Sequence, residues 1–396
     1  MIETGKRFEN MERADVVVIG AGITGLSAGY WMAKAGAKVI VLDKGRTAWE
    51  ASSRATGYLS LRGEQPKESP LAIEAERLWG TLDEELGYPT EWTPKGRMWA
   101  AFNESQLEEL HVTFEHFQQT SIPFRMIDGD EAREIIPALS PKVVGAIHTT
   151  RSGHGNPQRT SQAFAWAMQD HGGVIKEFSP VVAIETQGGR VAGVATPNER
   201  IAADIVVDAA GPQAGLIARL VEIEVPVAAA RFEAMVTAPL PPLFDTALVG
   251  HGLSVRQTRR GNIHFNGGPY EWVGVEIDEE PAKPNTPLVR NIARRLGELV
   301  PGLQKAHVLR SWSGVVDATP DHLCIIDRLS SPEGFIVAVT SGHGFGLSPS
   351  VGLAVSELAL NGATNMPVSQ LGLDRFARLD PDWIAKRRWT PGSYNI

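Results

Sequence analysis

One stretch near the N-terminus constrains the fold of this chain more than any other. Asp15-Val16-Val17-Val18-Ile19 reads as a short apolar strand and runs directly into Gly20-Ala21-Gly22-Ile23-Thr24-Gly25. A helical stretch from Leu26 to Ala35 follows and stops at Gly36, a residue type suited to a helix C-terminus. Lys38-Val39-Ile40-Val41-Leu42 then reads as a second strand, with Asp43 at its end and Lys44 beyond it. Strand, glycine-rich turn, helix, strand and acid make one βαβ unit. In such a unit Gly20 permits the tight turn and Gly22 lets the backbone approach a pyrophosphate. Gly25 lets the helix pack closely on the strand, and the helix N-terminus offers amide donors and partial positive charge. Asp43 stands where a carboxylate accepts from ribose hydroxyls and repels a 2′-phosphate. The unit predicts dinucleotide binding, with Ala21, Ile23, Thr24 and Lys44 in the same cradle.

Beyond Asp43 the pattern loosens into a Ser/Gly-rich loop, then amphipathic helical stretches near Pro70–Leu86 and Glu104–Thr120. Short strand-like runs flank Pro-rich turns between Pro226 and Trp272, and two strands frame a glycine turn at Val181–Thr196. The apolar strand Ile205–Asp208 leads into Ala209-Ala210-Gly211, and Gly334–Val339 leads into Ser341-Gly342-His343-Gly344-Phe345-Gly346. A helix is expected from Ser350 to Leu360. The placement of strands predicts an α/β plus α+β fold, a dinucleotide domain assembled from separated parts of the chain with a β-rich domain inserted in it. The expected cofactor domain is 12–85, 152–222 and 322–380, and the expected substrate domain is 86–151 and 223–321. Residues 1–11 are expected to be loose, and 381–396 form a basic, aromatic tail without an assigned role.

A net charge of −8 excludes a large basic footprint, so nucleic acid is not an expected partner. The single cysteine rules out an internal disulfide or a cysteine-built metal centre. No apolar run reaches the roughly 18–20 residues that span a bilayer, and the N-terminus lacks an apolar leader core. A cytoplasmic location is the expectation. The cradle itself leaves FAD and NAD both open. No second GxGxxG is present for a nicotinamide partner, which favours FAD, since a bound flavin is itself a hydride acceptor. An NAD-linked dehydrogenase is the alternative.

Several motifs recur in a fixed order along the chain. They are the N-terminal unit, Ala51-Ser52-Ser53-Arg54-Ala55-Thr56-Gly57, Gly155-Asn156-Pro157, Asp208-Ala209-Ala210-Gly211-Pro212, Trp312-Ser313-Gly314 through Asp321, and Ser341 through Gly346. Together they resemble the D-amino-acid oxidase-like FAD-dependent oxidoreductases, nearest the branch of sarcosine oxidase β-subunit, proline dehydrogenase β-subunit and glycine oxidase. The resemblance implies a glutathione-reductase-type FAD-binding domain and an antiparallel-sheet substrate domain. It implies oxidation of an amino acid or secondary amine at the carbon beside nitrogen, with hydride passing to flavin N5 and the imine hydrolysing in water. It also implies that Ser53, Arg54, Ala55, Thr56 and Gly57 lie along the pyrophosphate and flavin edge. Val182 would meet the adenine through its backbone. Ala210, Gly211 and Gly314 would line the cofactor groove. The Gly342–Leu347 turn (Gly342, His343, Gly344, Phe345, Gly346, Leu347) would place amides near the flavin's pyrimidine oxygen. A flavin-holding subunit that depends on a partner chain is a second possibility, as is a homo-oligomer.

Three histidines sit between glycines: His154, His251 and His343. No carboxylate or cysteine lies at ligand spacing from them, so no metal is expected. His343 is the catalytic candidate, because the implied turn sets it beside the flavin. Two departures from the resemblance matter. Cys324 precedes the turn in which monomeric sarcosine oxidases carry a flavin-tethering cysteine, and in its apolar run it reads as a buried small hydrophobe. Where relatives carry a carboxylate-binding arginine, this chain has Val315-Val316-Asp317. Arg62, shortly after the flavin-edge loop, is the first candidate to hold a substrate carboxylate. Arg256, in the run Leu253–Thr258, is the second, with His251 beside it.

Overall fold

The computed structural model describes residues 12–59, 67–276 and 283–387. Its first sheet is built around five parallel strands in the order Val174–Lys176, Val39–Leu42, Val16–Ile19, Ile205–Asp208 and Glu333–Val339. Val16–Ile19 and Val39–Leu42 are buried at every residue. Unbroken runs of Val, Ile and Leu are what a parallel sheet needs when both of its faces are covered. The helix Ile23–Lys34 packs on one face against Gly344–Asn361 and Pro157–Asp170. It buries most of its circumference, Leu26, Tyr30 and Met32 included. On the other face Val17, Val206 and Val337 pack with Ile217 and Ala218 of the helix Ala214–Arg219.

The second sheet has eight strands, in the order Val308–Ala318, Ala228–Pro239, Asn262–Val273, Leu253–Gln257, Ala247–Gly250, Arg97–Ala101, Gly145–Thr149 and Arg125–Asp128. All its pairs are antiparallel except Ala247–Gly250 with Arg97–Ala101. That parallel pair joins a hairpin system from 97–149 to one from 228–318. Strands of the first sheet therefore come from 12–42, 174–208 and 325–339, interleaved in sequence with those of the second.

Three local differences from the sequence reading have physical causes. The stretch Pro70–Leu86 is two helices, Ser69–Trp79 and Leu82–Leu86, with Gly80 between them. Ala51–Arg54, read as loop, forms a single helical turn. The last long helix begins at Gly344, six residues before Ser350. Pro349 lies inside it and lacks the N–H that would bond the Phe345 carbonyl. The Ser348 hydroxyl donates to that carbonyl instead, at 2.8 Å.

Candidate active site

The parallel strands end at a crevice, and its floor is the glycine-rich turn. Gly20 has φ +107°, and a Cβ there would lie 2.4 Å from the Ala209 carbonyl oxygen. A Cβ on Gly25 would lie 2.0 Å from the Gly20 carbonyl oxygen, so helix and strand touch through bare backbone. Gly22 differs: a Cβ there meets only Ser52 Oγ, at 3.2 Å, and otherwise projects into the crevice. Asp43 lines the same crevice and anchors the turn. Its Oδ2 accepts from the Ala21 N–H and its Oδ1 from the Gly45 N–H, both at 2.7 Å. Burial nevertheless pushes the Asp43 carboxyl above its ordinary value, against those amides and the Lys44 charge. Ala210 and Gly211 form one side of the crevice, and Gly342 and Gly344 close its far end.

These residues fit FAD on the structure's own features. Added Cβ atoms at Gly22, Gly211 and Gly342 would enter crevice space rather than protein. Two helices, Ile23–Lys34 and Gly344–Asn361, begin on the crevice, and neither receives a hydrogen bond from its own N-cap side chain. Their first-turn amides and dipoles favour anionic groups at both ends, a pyrophosphate at one and an electron-rich carbonyl edge at the other. Ile23, Thr24, Lys44 and Ala55 also line the crevice.

Other expected cofactor contacts fall elsewhere. Ser53 turns away, donating to the Ala48 carbonyl, whereas its neighbour Ser52 faces the crevice and accepts from the Ile23 N–H at 2.9 Å. A helical turn at Ala51–Arg54, instead of extended loop, produces this one-residue rotation. Arg54 points to the second sheet, donating to the Ser313 carbonyl at 2.9 Å, and does not line the crevice. The Val182 N–H is bonded to the Ala195 carbonyl, and Val181 is the lining residue. Gly314 is packed beneath Phe232 and Arg54. Gly346 packs on the backbone of Tyr58 and Leu59, and its carbonyl accepts from Trp79 Nε1 at 2.8 Å. The expected turn at 344–347 is the first turn of the helix.

A second cavity, of about 240 Å³, lies between the crevice and the second sheet. Ala55, Val316, Gly342 and Phe345 line both spaces, so they meet at this wall. Thr56, Gly57, His343 and Leu347 belong to the second cavity. His343 Nδ1 lies 3.2 Å from Oε1 of the buried Glu68, whose Oε2 accepts from the Cys324 N–H at 2.9 Å. Burial would raise the Glu68 carboxyl, but the His343 charge and the hydrogen bonds from His343 and Cys324 outweigh it and hold it below the usual range. The Cys324 thiol is fully buried and pushed well up by burial and the Glu68 charge, as suits a packed, unreactive side chain. Asp317, in the run Val315-Val316-Asp317, has a structural role. Its carboxylate accepts from the N–H groups of Thr340, Ser341 and Gly342 at 2.8, 2.7 and 3.2 Å and so shapes the shared wall. Neither Glu68 nor Asp317 was legible as a site residue, because their partners lie far away in sequence.

Two of the expected substrate contacts, Arg256 and His251, do not line this cavity. Arg256 donates Nε to the Thr56 carbonyl and lines a different cavity with Trp49, Asn156 and Trp312. His251 pairs through Nε2 with Glu298 Oε2 at 2.7 Å and stacks on Phe102, outside the cavity wall. Arg62 lies outside the described residues. His154 is buried and bonded to the Asp245 carbonyl, with burial and the Arg256 charge pulling its pKa down to about 3. Among the described residues, the arginines that line the cavity are Arg97 and Arg387.

Comparison with known proteins agrees with this geometry. The family model described as FAD dependent oxidoreductase matches residues 15–358. The chain is 25% identical over 378 residues to the sarcosine oxidase subunit beta of Rhodobacter capsulatus, covering 93% of this chain and 90% of that one. It is 28% identical over 376 residues to the glycine oxidase of Geobacillus kaustophilus, covering 92% and 97%. Among solved structures, the L-proline dehydrogenase from P. horikoshii superposes with a TM-score of 0.84 at 24% identity, covering 93% of this chain and 99% of that one.

Proposed function

The chain belongs to the family of FAD dependent oxidoreductases, and from that premise we propose that it oxidises a small amine or amino acid at the carbon next to nitrogen. The observation that carries this reading is the common wall. Ala55, Val316, Gly342 and Phe345 border both the glycine-lined crevice and a small cavity of the second sheet. When bound, FAD supplies the two-electron acceptor for such an oxidation. The chain's residues supply position and dryness. Gly20, Gly22, Ser52, Asp43 and Gly211 would hold the dinucleotide, with Gly25 letting the helix sit against the strand beneath it. Phe345 at the shared wall and Leu347 in the second cavity exclude water. His343 is our catalytic candidate. Glu68 fixes its ring through Nδ1, so Nε2 is the atom through which it exchanges a proton with the substrate amine. The imine product then hydrolyses in water.

The same reading divides the chain into a glutathione-reductase-type cofactor domain (12–85, 152–222 and 322–380) and an inserted substrate domain (86–151 and 223–321). The segregation of strands between the two sheets supports this division. A second reading, a flavin-holding subunit that passes electrons through a partner chain, is favoured by the similarity to a protein named as a β-subunit. Among the described residues no helix is long and apolar enough to cross a membrane, and we place the protein in the cytoplasm.

The test is optical. The purified protein should be yellow, and anaerobic addition of its amine substrate should bleach the flavin absorbance. A colourless protein that reduces or oxidises a nicotinamide would replace this reading with the NAD-linked one. Bleaching followed by reoxidation with an artificial dye but not with oxygen would favour the partner-dependent subunit, which light scattering and co-purification then test.

A further inference from the structure

We infer that the second cavity selects an amine that carries a second, distal cation of the guanidinium class, and that Glu109 receives that cation. This rests on the reading that the amine substrate occupies this cavity. The helix Glu104–Phe117 packs on Arg97–Ala101 and Gly145–Thr149 of the second sheet. Its residues Gln106, Glu109, Leu110 and Thr113 line the cavity. Spaced i, i+3, i+4 and i+7, they share one face of the helix. A helix seated on a sheet ordinarily turns an apolar stripe inward. Here Leu110, Phe114 and Phe117 supply that stripe and pack with the core, while three polar residues stand beside them over the cavity.

What that face can recognise depends on which of its atoms are already bonded. Gln106 is engaged at the start of the helix. Its N–H donates to the side chain of Asn103 at 2.9 Å, and its Oε1 accepts from the Phe102 N–H at 2.7 Å. Thr113 donates its hydroxyl proton to the Glu109 carbonyl at 3.0 Å, so toward a ligand its Oγ1 can only accept. Glu109 Oε2 is buried without a hydrogen-bond partner among the described residues, and among them Glu109 takes part in no ion pair. A buried carboxylate oxygen without a donor is costly, and a ligand that brings the donor relieves that cost. Glu109 and Thr113 lie one turn apart and both accept. They match a planar cation with several N–H donors better than a neutral or anionic group.

The cation received here is distinct from the nitrogen that is oxidised. Gln106, Glu109, Leu110 and Thr113 do not line the cofactor crevice, whereas Ala55, Val316, Gly342 and Phe345 border both spaces. The reacting carbon belongs at that common wall. An amine whose carbon gives up hydride must also be neutral, and a carboxylate beside it would hold its proton in place. A second charged group elsewhere on the substrate carries no such conflict. Glu109 gains its missing donor, and the reacting nitrogen stays unprotonated.

Calorimetric titration of the FAD-loaded protein with 4-guanidinobutyrate and 4-ureidobutyrate tests this recognition apart from turnover. The two acids share one shape, only the first carries a guanidinium, and neither presents an amine. The guanidino acid should bind about 10- to 100-fold more tightly, the range expected for one charge-assisted pairing. Glu109→Gln keeps the length of the side chain and removes its charge, and it should bring the ratio close to one at an unchanged melting temperature. Glu109→Asp should keep part of the ratio, and Thr113→Val should lower it less than Glu109→Gln does. Equal binding of the two acids by wild type overturns the assignment, and so does a ratio that survives Glu109→Gln. If that variant does not fold, an unchanged ratio in both Glu109→Asp and Thr113→Val overturns it equally. Arginine and its neutral counterpart citrulline, each in both enantiomers, report on the parent reading. If neither bleaches the flavin while the guanidino preference holds, amine oxidation falls and the role of Glu109 stands. If citrulline bleaches it as readily as arginine and the titrations show no preference, the role of Glu109 falls and amine oxidation stands.

Discussion

Asp208 closes the strand Ile205–Asp208 with one oxygen bonded to the Ala210 N–H at 3.1 Å. Its other oxygen is buried without a hydrogen-bond partner among the described residues. Burial pushes this carboxyl up to about 8. Between about pH 4 and pH 8 the folded chain therefore keeps a proton that the unfolded chain has released. The stability this contributes is fully present below about pH 4 and is lost as pH rises through 8. Asp208→Asn copies the protonated shape, so its melting temperature should fall less than that of wild type between pH 5 and pH 9. Parallel curves for the two proteins would mean that Asp208 is already ionised in the fold. Asp43 makes a different prediction, because both of its oxygens already accept backbone N–H groups. Asp43→Asn turns one acceptor into a donor that faces an N–H, at a cost of about 1–3 kcal/mol in the turn. More of the purified protein should then lack flavin, while the loaded fraction keeps its substrate preference. A changed preference at unchanged flavin occupancy would remove Asp43 from the adenosine end.

At the level of elements, the turn before Ile23–Lys34 holds two glycines with opposite roles. A methyl at Gly25 collides with the Gly20 carbonyl at 2.0 Å, so Gly25→Ala must push the helix off the strand. Overpacking of this kind costs about 1–3 kcal/mol, and both fold stability and flavin retention should drop. A side chain at Gly22 finds only Ser52 Oγ at 3.2 Å. Gly22→Val should therefore fold and melt much as the flavin-free wild type does, yet remain colourless. A folded, fully yellow Gly22→Val protein would sink the cradle assignment. This turn was legible because its signal is local: strand, glycines, helix and acid are neighbours in the chain. Ser52 was missed for Ser53 because a single unexpected helical turn rotates the pair. The helix was expected only from Ser350, whereas Pro349 is accommodated inside it, with the Ser348 hydroxyl covering the carbonyl that the proline leaves. Arg256 reads as a clamp in its strand, but which cavity a strand residue reaches depends on what its neighbours cover. Glu68 and Asp317 act only through partners far along the chain, so no local pattern reveals them.

Across the whole molecule, the wall between crevice and cavity is where the two sheets are coupled. Asp317 rises from Val308–Ala318 of the second sheet and gathers the amides of Thr340, Ser341 and Gly342, which follow Glu333–Val339 of the first. Arg54 and Trp312 add a reciprocal link, Arg54 Nη1 to the Ser313 carbonyl at 2.9 Å and Trp312 Nε1 to the Arg54 carbonyl at 3.2 Å. A ligand bound against this wall engages residues from both sheets, so its binding energy stabilises their union. FAD at about 100 times its dissociation constant should add about 2.7 kcal/mol to the folded state. Asp317→Ala leaves three amides without their acceptor, two of them buried, and each unmade bond of that kind costs about 1–3 kcal/mol. The flavin-free variant should melt well below flavin-free wild type. Its gain in melting temperature on adding the same FAD concentration should also shrink, because the turn bearing Gly342 is no longer held against the crevice. Asp317→Asn, which keeps one acceptor oxygen, should fall between the two. Scanning calorimetry of the three proteins with and without FAD reads both effects at once. A full FAD-induced rise in a destabilised Asp317→Ala protein would show that the crevice keeps its shape without this contact.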